Sequence, residues 1–155
     1  MINKRRGFSI VELMVVMIVI GILARLGIPR YTDMKQRATA ASILGDVRAL
    51  RSAAYSYYAD KNTWPADVGA GVLPPELLTY LPQNFAFTKP SYQMDWEVWN
   101  ASSTQESLVG VTITAADPVI TAMIYRFSQA GYVPMYSGST ITLLISGSLP
   151  QGGTP

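Results

Sequence analysis

The chain of 155 residues contains no cysteine and no histidine. Without cysteine, no disulfide can staple a domain and no thiolate can act as nucleophile or metal ligand. Without histidine, the commonest general base and transition-metal ligand is missing. Charge is also sparse: only 14% of residues are charged, with 12 Lys and Arg against 10 Asp and Glu. That near-balance gives no support to nucleic acid as a partner. No P-loop pattern occurs, and no nucleophile–base pair or metal set can be assembled from the residue types present. The expectation is a protein that is not an enzyme and has no catalytic, cofactor or metal site.

Long apolar runs are scarce too, and the single one lies near the N-terminus. It extends over residues 8–24, follows Lys4, Arg5 and Arg6, and ends at Arg25. As a helix it would reach about 26 Å, slightly short of a hydrocarbon core of about 30 Å. Snorkelling by Arg25 and its neighbours makes up the difference. The basic cluster before Phe8 argues for a cytoplasmic N-terminus. No small-residue cleavage site follows the run, so it is not an ordinary secretory signal. One carboxylate, Glu12, stands inside it. A carboxylate in a bilayer costs roughly 2.5–3.5 kcal/mol on the insertion scale. Glu12 therefore needs a partner, which points towards assembly and away from a simple anchor.

The stretch Lys4-Arg5-Arg6-Gly7-Phe8-Ser9-Ile10-Val11-Glu12-Leu13-Met14-Val15-Val16 closely resembles the leader and N-terminus of type IV prepilins. That signature is shared by type IV pilins, minor pilins and the pseudopilins of type II secretion. The resemblance is strong over about the first third of the chain. It implies cleavage after Gly7 by a membrane prepilin peptidase and methyltransferase on the cytoplasmic side, and N-methylation of Phe8. It implies residence as a single-pass protein of the inner membrane, in contact with lipid, before an assembly platform builds it into a cell-surface or periplasmic filament. The filament partners are other copies of the chain or other pilins. Gly21 and Pro29 match the helix-breaking pair that bounds a stretch able to unwind in pilin filaments. Tyr31 matches an aromatic often found just after that proline.

Elementary chemistry supports these roles. Cleavage would expose an α-amino group at Phe8 with a pKa of about 7.7–8.0, mostly cationic at neutral pH. Glu12 of one chain can then meet the Phe8 ammonium of its neighbour and neutralise two charges that are costly to bury. Such a pair also sets axial register, as a polar residue does in a coiled coil. Removing Lys4, Arg5 and Arg6 from the 12 basic residues leaves 9 against 10 acidic ones, a nearly neutral mature chain.

The sequence departs from the family in three places. Pilins normally keep the spine apolar at the position of Arg25, which reads here as a snorkelling side chain. Many pilins close a C-terminal loop with a disulfide, which this chain cannot form. Some pseudopilins bind calcium in an aspartate-rich C-terminal loop, whereas Asp117 is the last acidic residue here.

Beyond Pro29, Ala40, Ile43, Val47, Leu50, Ala54 and Tyr57 recur at steps of three and four, an amphipathic helix from Arg30 to about Asp60. Pro29 should kink or interrupt its junction with the membrane segment. Helix should stop near Asn62, ahead of Trp64-Pro65 and Gly69-Ala70-Gly71. The stretch 74–82 reads as one short helical turn between prolines. Residues 92–99, 108–114 and 139–145 read as strands. Asp117-Pro118 should cap a helix over 119–129, with Gly131 near its end. Residues 151–155 read as a frayed tail. The division expected is a leader at 1–7, a transmembrane or filament-core helix at 8–28, and an amphipathic spine with globular head at 29–155. The fold class is α+β: a long N-terminal spine helix packed on a small, mainly antiparallel sheet.

Two constellations in the head invite sharper readings. Tyr55, Tyr57, Tyr58 and Trp64 read as packing where spine meets head. Asp95 and Glu97 should share one strand face, read as solvated. The function expected is a structural subunit of a type IV pilus-like filament in which Glu12 sets register. The alternatives are a type II secretion pseudopilin, or a minor pilin whose head binds a surface, a ligand or DNA.

Overall fold

The computed structural model describes residues 8–100, 107–129 and 131–146. The expected leader, including Gly7, and the expected tail at 151–155 lie outside the described residues. The chain divides into two compact units, residues 1–36 and 37–155.

Helix α1 runs from Ile10 to Lys61, 52 residues without interruption. Gly21 and Pro29 both lie inside it, so of the kink or interruption expected at Pro29 the interruption does not occur. Proline removes one hydrogen-bond donor, a local loss, while the helical ladders on either side remain cooperative. Immediately beyond, the Thr32 hydroxyl donates to the Ile28 carbonyl at 3.1 Å. The helix ends where expected: Asn62 adopts φ 55°, and its amide closes the last turn on Tyr58 O at 2.7 Å.

In residues 37–155 the periodic stripe of α1 is the core face. Ala40, Ile43, Val47, Leu50 and Ala54 are all buried, joined by Leu44 and Ala53. They pack against a five-stranded antiparallel sheet built from β1 (Thr88–Lys89), β2 (Tyr92–Asn100), β3 (Ser107–Ala115), β4 (Pro134–Ser137) and β5 (Thr140–Ser146), in the order β1-β2-β3-β5-β4. The period-two alternation expected of strands is present. Tyr92, Met94 and Trp96 of β2, Val109, Val111 and Ile113 of β3, and Ile141, Leu143 and Ile145 of β5 are buried in one core. Their registers bring Trp96 opposite Val111 and Ile113 opposite Ile141. Trp96 is fully buried, so its indole N–H needs an acceptor, and it donates to Pro65 O at 3.2 Å.

A slip in register between Val109 and Gly110 accompanies a close approach on the sheet. A Cβ on Gly110 would stand 3.0 Å from the Trp99 ring and 3.1 Å from Leu143 O, so the ring of β2 lies across the bare backbone of β3. The free edge of β2 is covered by the preceding loop. Gly71 N donates to Met94 O at 2.8 Å, and Asp67 accepts from Val98 N at 3.5 Å. Gly71 makes that approach at φ +77°, and a Cβ there would lie 2.1 Å from the Gln93 amide. At the other edge, β4 is only four residues long and begins with Pro134.

Helix α2 spans Pro118–Ser128, and Asp117 caps it by accepting from Val119 N at 2.9 Å. Ile120, Thr121 and Ile124 face inward and are buried. The Thr121 hydroxyl lies within reach of Pro118 O (2.8 Å) and Gly138 O (2.6 Å), tying α2 to the β4–β5 turn. The short turn expected between the prolines is a 3-10 turn at Pro75–Leu77. Strands β1 and β4 were not expected from the sequence; the remaining elements were.

Candidate functional site

Large apolar side chains along the first half of α1 have no interior to enter. From Phe8 (76% exposed) and Ile10 (79%) to Ile28 (64%), each is exposed. Among the described residues this is the one helix long and apolar enough to cross a membrane. A continuous apolar surface of this length marks a lipid-facing or partner-facing element. It is consistent with membrane anchoring.

At the start of this surface, Ser9 and Glu12 form a capping pair. The Ser9 hydroxyl accepts from Val11 N at 3.3 Å, and the Glu12 carboxylate accepts from Ser9 N at 3.2 Å. Ser-x-x-Glu ahead of an apolar run is a capping box, which satisfies two orphan amides and places a negative charge at the positive end of the helix dipole. Sequence reasoning gave Glu12 an intermolecular role and missed this local one, although the spacing carries the signal. Arg25 is exposed on α1, as are Gly21 and Pro29.

In residues 37–155, three polar groupings stand out. Asp46 of α1 bonds Lys89 Nζ at 2.5 Å and also accepts the Tyr92 hydroxyl, joining helix to sheet. Burial and the Asp46 carboxylate push the Tyr92 phenol up to about 12, against a smaller opposing effect of Lys89. Burial alone would lower the Lys89 ammonium, but its bonds to Asp46 and Tyr92 outweigh that and leave it raised.

The second grouping is acidic. Asp95 and Glu97 share a strand face as expected, but both are half-buried rather than fully solvated. Burial raises the Asp95 carboxyl, and the charge of Asp67 adds to it. Burial raises Glu97 as well, reinforced by Asp95 and Asp67 and opposed by a hydrogen bond from Thr112. Asp95 Oδ1 is buried with no hydrogen-bond partner among the described residues. No group of three or more acidic side chains is placed to hold a metal among the described residues.

The third is an open groove of about 720 Å³ between α1, the end of α2 and the segment before β4. Arg51 stands in it, with its guanidinium 5.7 Å from the Tyr55 ring centre and 5.2 Å from that of Tyr132. Its Nη1 donates to Gly131 O at 3.2 Å. The Tyr55 hydroxyl donates to Ile145 O at 2.9 Å, and Trp64 meets Tyr55 edge-on and stacks on Tyr58 at 4.5 Å. Tyr57 and Trp64 pack against the core as expected, whereas Tyr55 (41%) and Tyr58 (37%) remain partly exposed.

Comparison with known proteins agrees with the N-terminal pattern. The family model of the prokaryotic N-terminal methylation motif matches residues 2–24. The fimbrial protein EcpC of Eikenella corrodens is 38% identical over 66 residues, 43% of this chain and 43% of that protein. The type IV major pilin protein PilE1 of Neisseria gonorrhoeae is 35% identical over 71 residues, 46% of this chain and 33% of that protein. The type II secretion system core protein G of Escherichia coli K12 is 31% identical over 96 residues, 57% of this chain and 66% of that protein. The chain thus spans between a third and about two thirds of the length of these relatives. No solved structure matches. With a prepilin methylation motif, an exposed apolar spine and an α+β head, the chain belongs to the type IV pilin and pseudopilin family.

Proposed function

We propose that the chain is a structural subunit of a type IV pilus-like filament. The observation that carries this reading is the apolar half of α1, which stays exposed among the described residues and begins at the methylation motif. Residues 1–7 act as a leader cut after Gly7, and Phe8 becomes the methylated N-terminus. Residues 8–28 rest in the inner membrane, N-terminus on the cytoplasmic side, until an assembly platform moves them into a filament core. There Glu12 meets the Phe8 ammonium of a neighbouring subunit and sets register. The stretch from Gly21 to Pro29 is the part of the spine able to unwind on packing, since glycine and proline are the weakest helix formers. Residues 29–155 complete the spine and carry the head on the outside.

A second reading has its own support. Of the three relatives described, the secretion core protein aligns over the longest stretch, 96 residues. A periplasmic pseudopilus is therefore the alternative filament.

The test is intact mass and N-terminal sequencing of the protein from sheared surface filaments and from membranes. A chain starting at methylated Phe8 and abundant in the sheared fraction is the expected result. The same processed chain confined to membranes favours the pseudopilus. An uncut chain in cells with active prepilin peptidase overturns the proposal.

A further inference from the structure

Among the described residues, two regions of the head carry opposite charge without an ion pair where it stands. In the groove beside α1, Arg48 and Arg51 are one helical turn apart, and among the described residues no Asp or Glu lines the cavity. Stacking on Tyr55 and Tyr132 and the bond to Gly131 hold the Arg51 guanidinium in place, with most of its five donors unspent. On the loop that covers β2, Asp67 is held by its bonds from Gly69 N and Val98 N, beside Asp95 and Glu97. No ion pair joins any of these three acids among the described residues. Val68 and Val72 on the same loop are exposed by 36% and 51%.

We propose that the Arg48–Arg51 groove of one subunit receives the Asp67–Val68 loop of a second copy, a contact that rests on the filament reading above. Charge complementarity carries the choice of occupant. Two guanidiniums repel each other in a cavity without a counter-ion, and the loop brings a carboxylate already fixed by its own backbone. Both surfaces also carry apolar side chains: Leu44 and Phe127 line the groove, and Val68 sits next to Asp67. Its volume lies within the range of about 300–1,000 Å³ that binding cavities occupy, room for a loop tip. Because the Arg51 guanidinium and the Asp67 carboxylate are already held, less ordering entropy opposes the contact. Groove and loop are different surfaces, so the contact is heterologous and propagates from subunit to subunit without closing on itself.

The absence of native cysteine makes a direct test available. Arg48→Cys and Asp67→Cys are introduced together in the full chain, and filaments are treated with a short bis-maleimide, since an arginine–aspartate contact exceeds the Cβ spacing of about 3.5–4.5 Å that a disulfide requires. The expected result is a ladder of cross-linked subunits at least tenfold above either single variant and above an Arg48→Cys, Thr79→Cys pair. Assembled filaments without that ladder overturn the contact. Should the double variant fail to assemble, charge reversal decides: Arg48→Glu should cut filament yield tenfold or more, and adding Asp67→Lys should restore it. No loss, or loss without restoration, overturns the proposal. Intact filament yield from Arg48→Glu together with lost binding to an anionic polysaccharide would assign the groove to a surface ligand and also overturn it. Failure of the unmodified chain to form filaments would instead overturn the subunit reading, which keeps the two outcomes distinct.

Discussion

The carboxylate of Glu12 accepts a hydrogen bond from the Ser9 amide at 3.2 Å, so the acid that the filament reading assigns to a neighbour already has a partner in its own chain. In lipid this bond offsets part of the cost of a polar group. Moving Glu12 to a neighbour's Phe8 ammonium exchanges a neutral donor for a charged one, the stronger of the two.

Gln and Val at position 12 should therefore behave differently. Glu12→Gln keeps an acceptor for Ser9 and should leave the first turn of α1 protected, while assembly falls. Glu12→Val should lose both, with the helix start weakened by about 0.5–2 kcal/mol as for other lost caps. Amide exchange at residues 9–13 in micelles, read beside filament yield, separates the two. Normal filaments from both variants would sink the register role.

The acid cluster should make the head less stable as pH rises. Asp95 and Glu97 have raised carboxyl pKa values in the folded chain, so the native state holds protons that the unfolded state releases. The sign follows: this contribution is fully present below the ordinary carboxylate range and is lost as pH climbs through the raised values. Asp95→Asn should raise the melting temperature at neutral pH and flatten its dependence just above the ordinary carboxylate range. Thermal melts across that range, with Gln93→Glu as a control on the same strand, check it.

At the alkaline end the Asp46–Lys89–Tyr92 group should act in the same direction. Tyr92 is pushed up to about 12, so its contribution is present below about 10, the ordinary tyrosine value, and declines towards 12. The raised Lys89 likewise loses its contribution as pH passes its own value. Asp46→Asn should bring Tyr92 only part of the way back, because burial still acts. Titration of tyrosinate absorbance, compared with Tyr92→Phe to assign the signal, measures the shift.

Gly71→Ala should destabilise the head by about 1–3 kcal/mol, the usual cost of holding a side chain in a sparsely populated backbone region. Gln93 can swing away from the new methyl group, but φ +77° cannot be relieved without breaking the bond to Met94. Gly69→Ala also meets a positive φ but has open space around its Cβ, so denaturant melts of the two variants separate strain from crowding.

Much of this was legible because it is local. The spacing of Ala40, Ile43, Val47, Leu50 and Ala54 gave the buried face of α1, and Asp117-Pro118 gave the start of α2. Strand β4 escaped because four residues beginning with proline are too short to show alternation, and β1 has only two. The long spine helix was legible, but at Pro29 the local rule against proline was outweighed by long helical runs on both sides, so no interruption occurs there. The cap made by Ser9 and Glu12 is local too, carried by Ser-x-x-Glu spacing alone. Asp67 beside Asp95, and Arg51 between Tyr55 and Tyr132, depend on chain segments that only the folded sheet brings together. No periodicity encodes such meetings.

The covering of β2 by the loop from Pro65 to Gly71, and the brevity of proline-led β4, have a consequence for a protein proposed to polymerise. An open strand edge templates further strands, and chains at high local density would fuse through it irreversibly. Here the edge groups Met94 O and Val98 N are engaged by the loop, and β4 offers four residues at most. In the proposed filament, growth is thereby left to the helical surface and the groove contact proposed above, and the apolar side chains of α1 meet much the same surroundings in lipid as among neighbouring helices. A polymer held in that way can return its subunits to the bilayer, which a cross-β polymer cannot do.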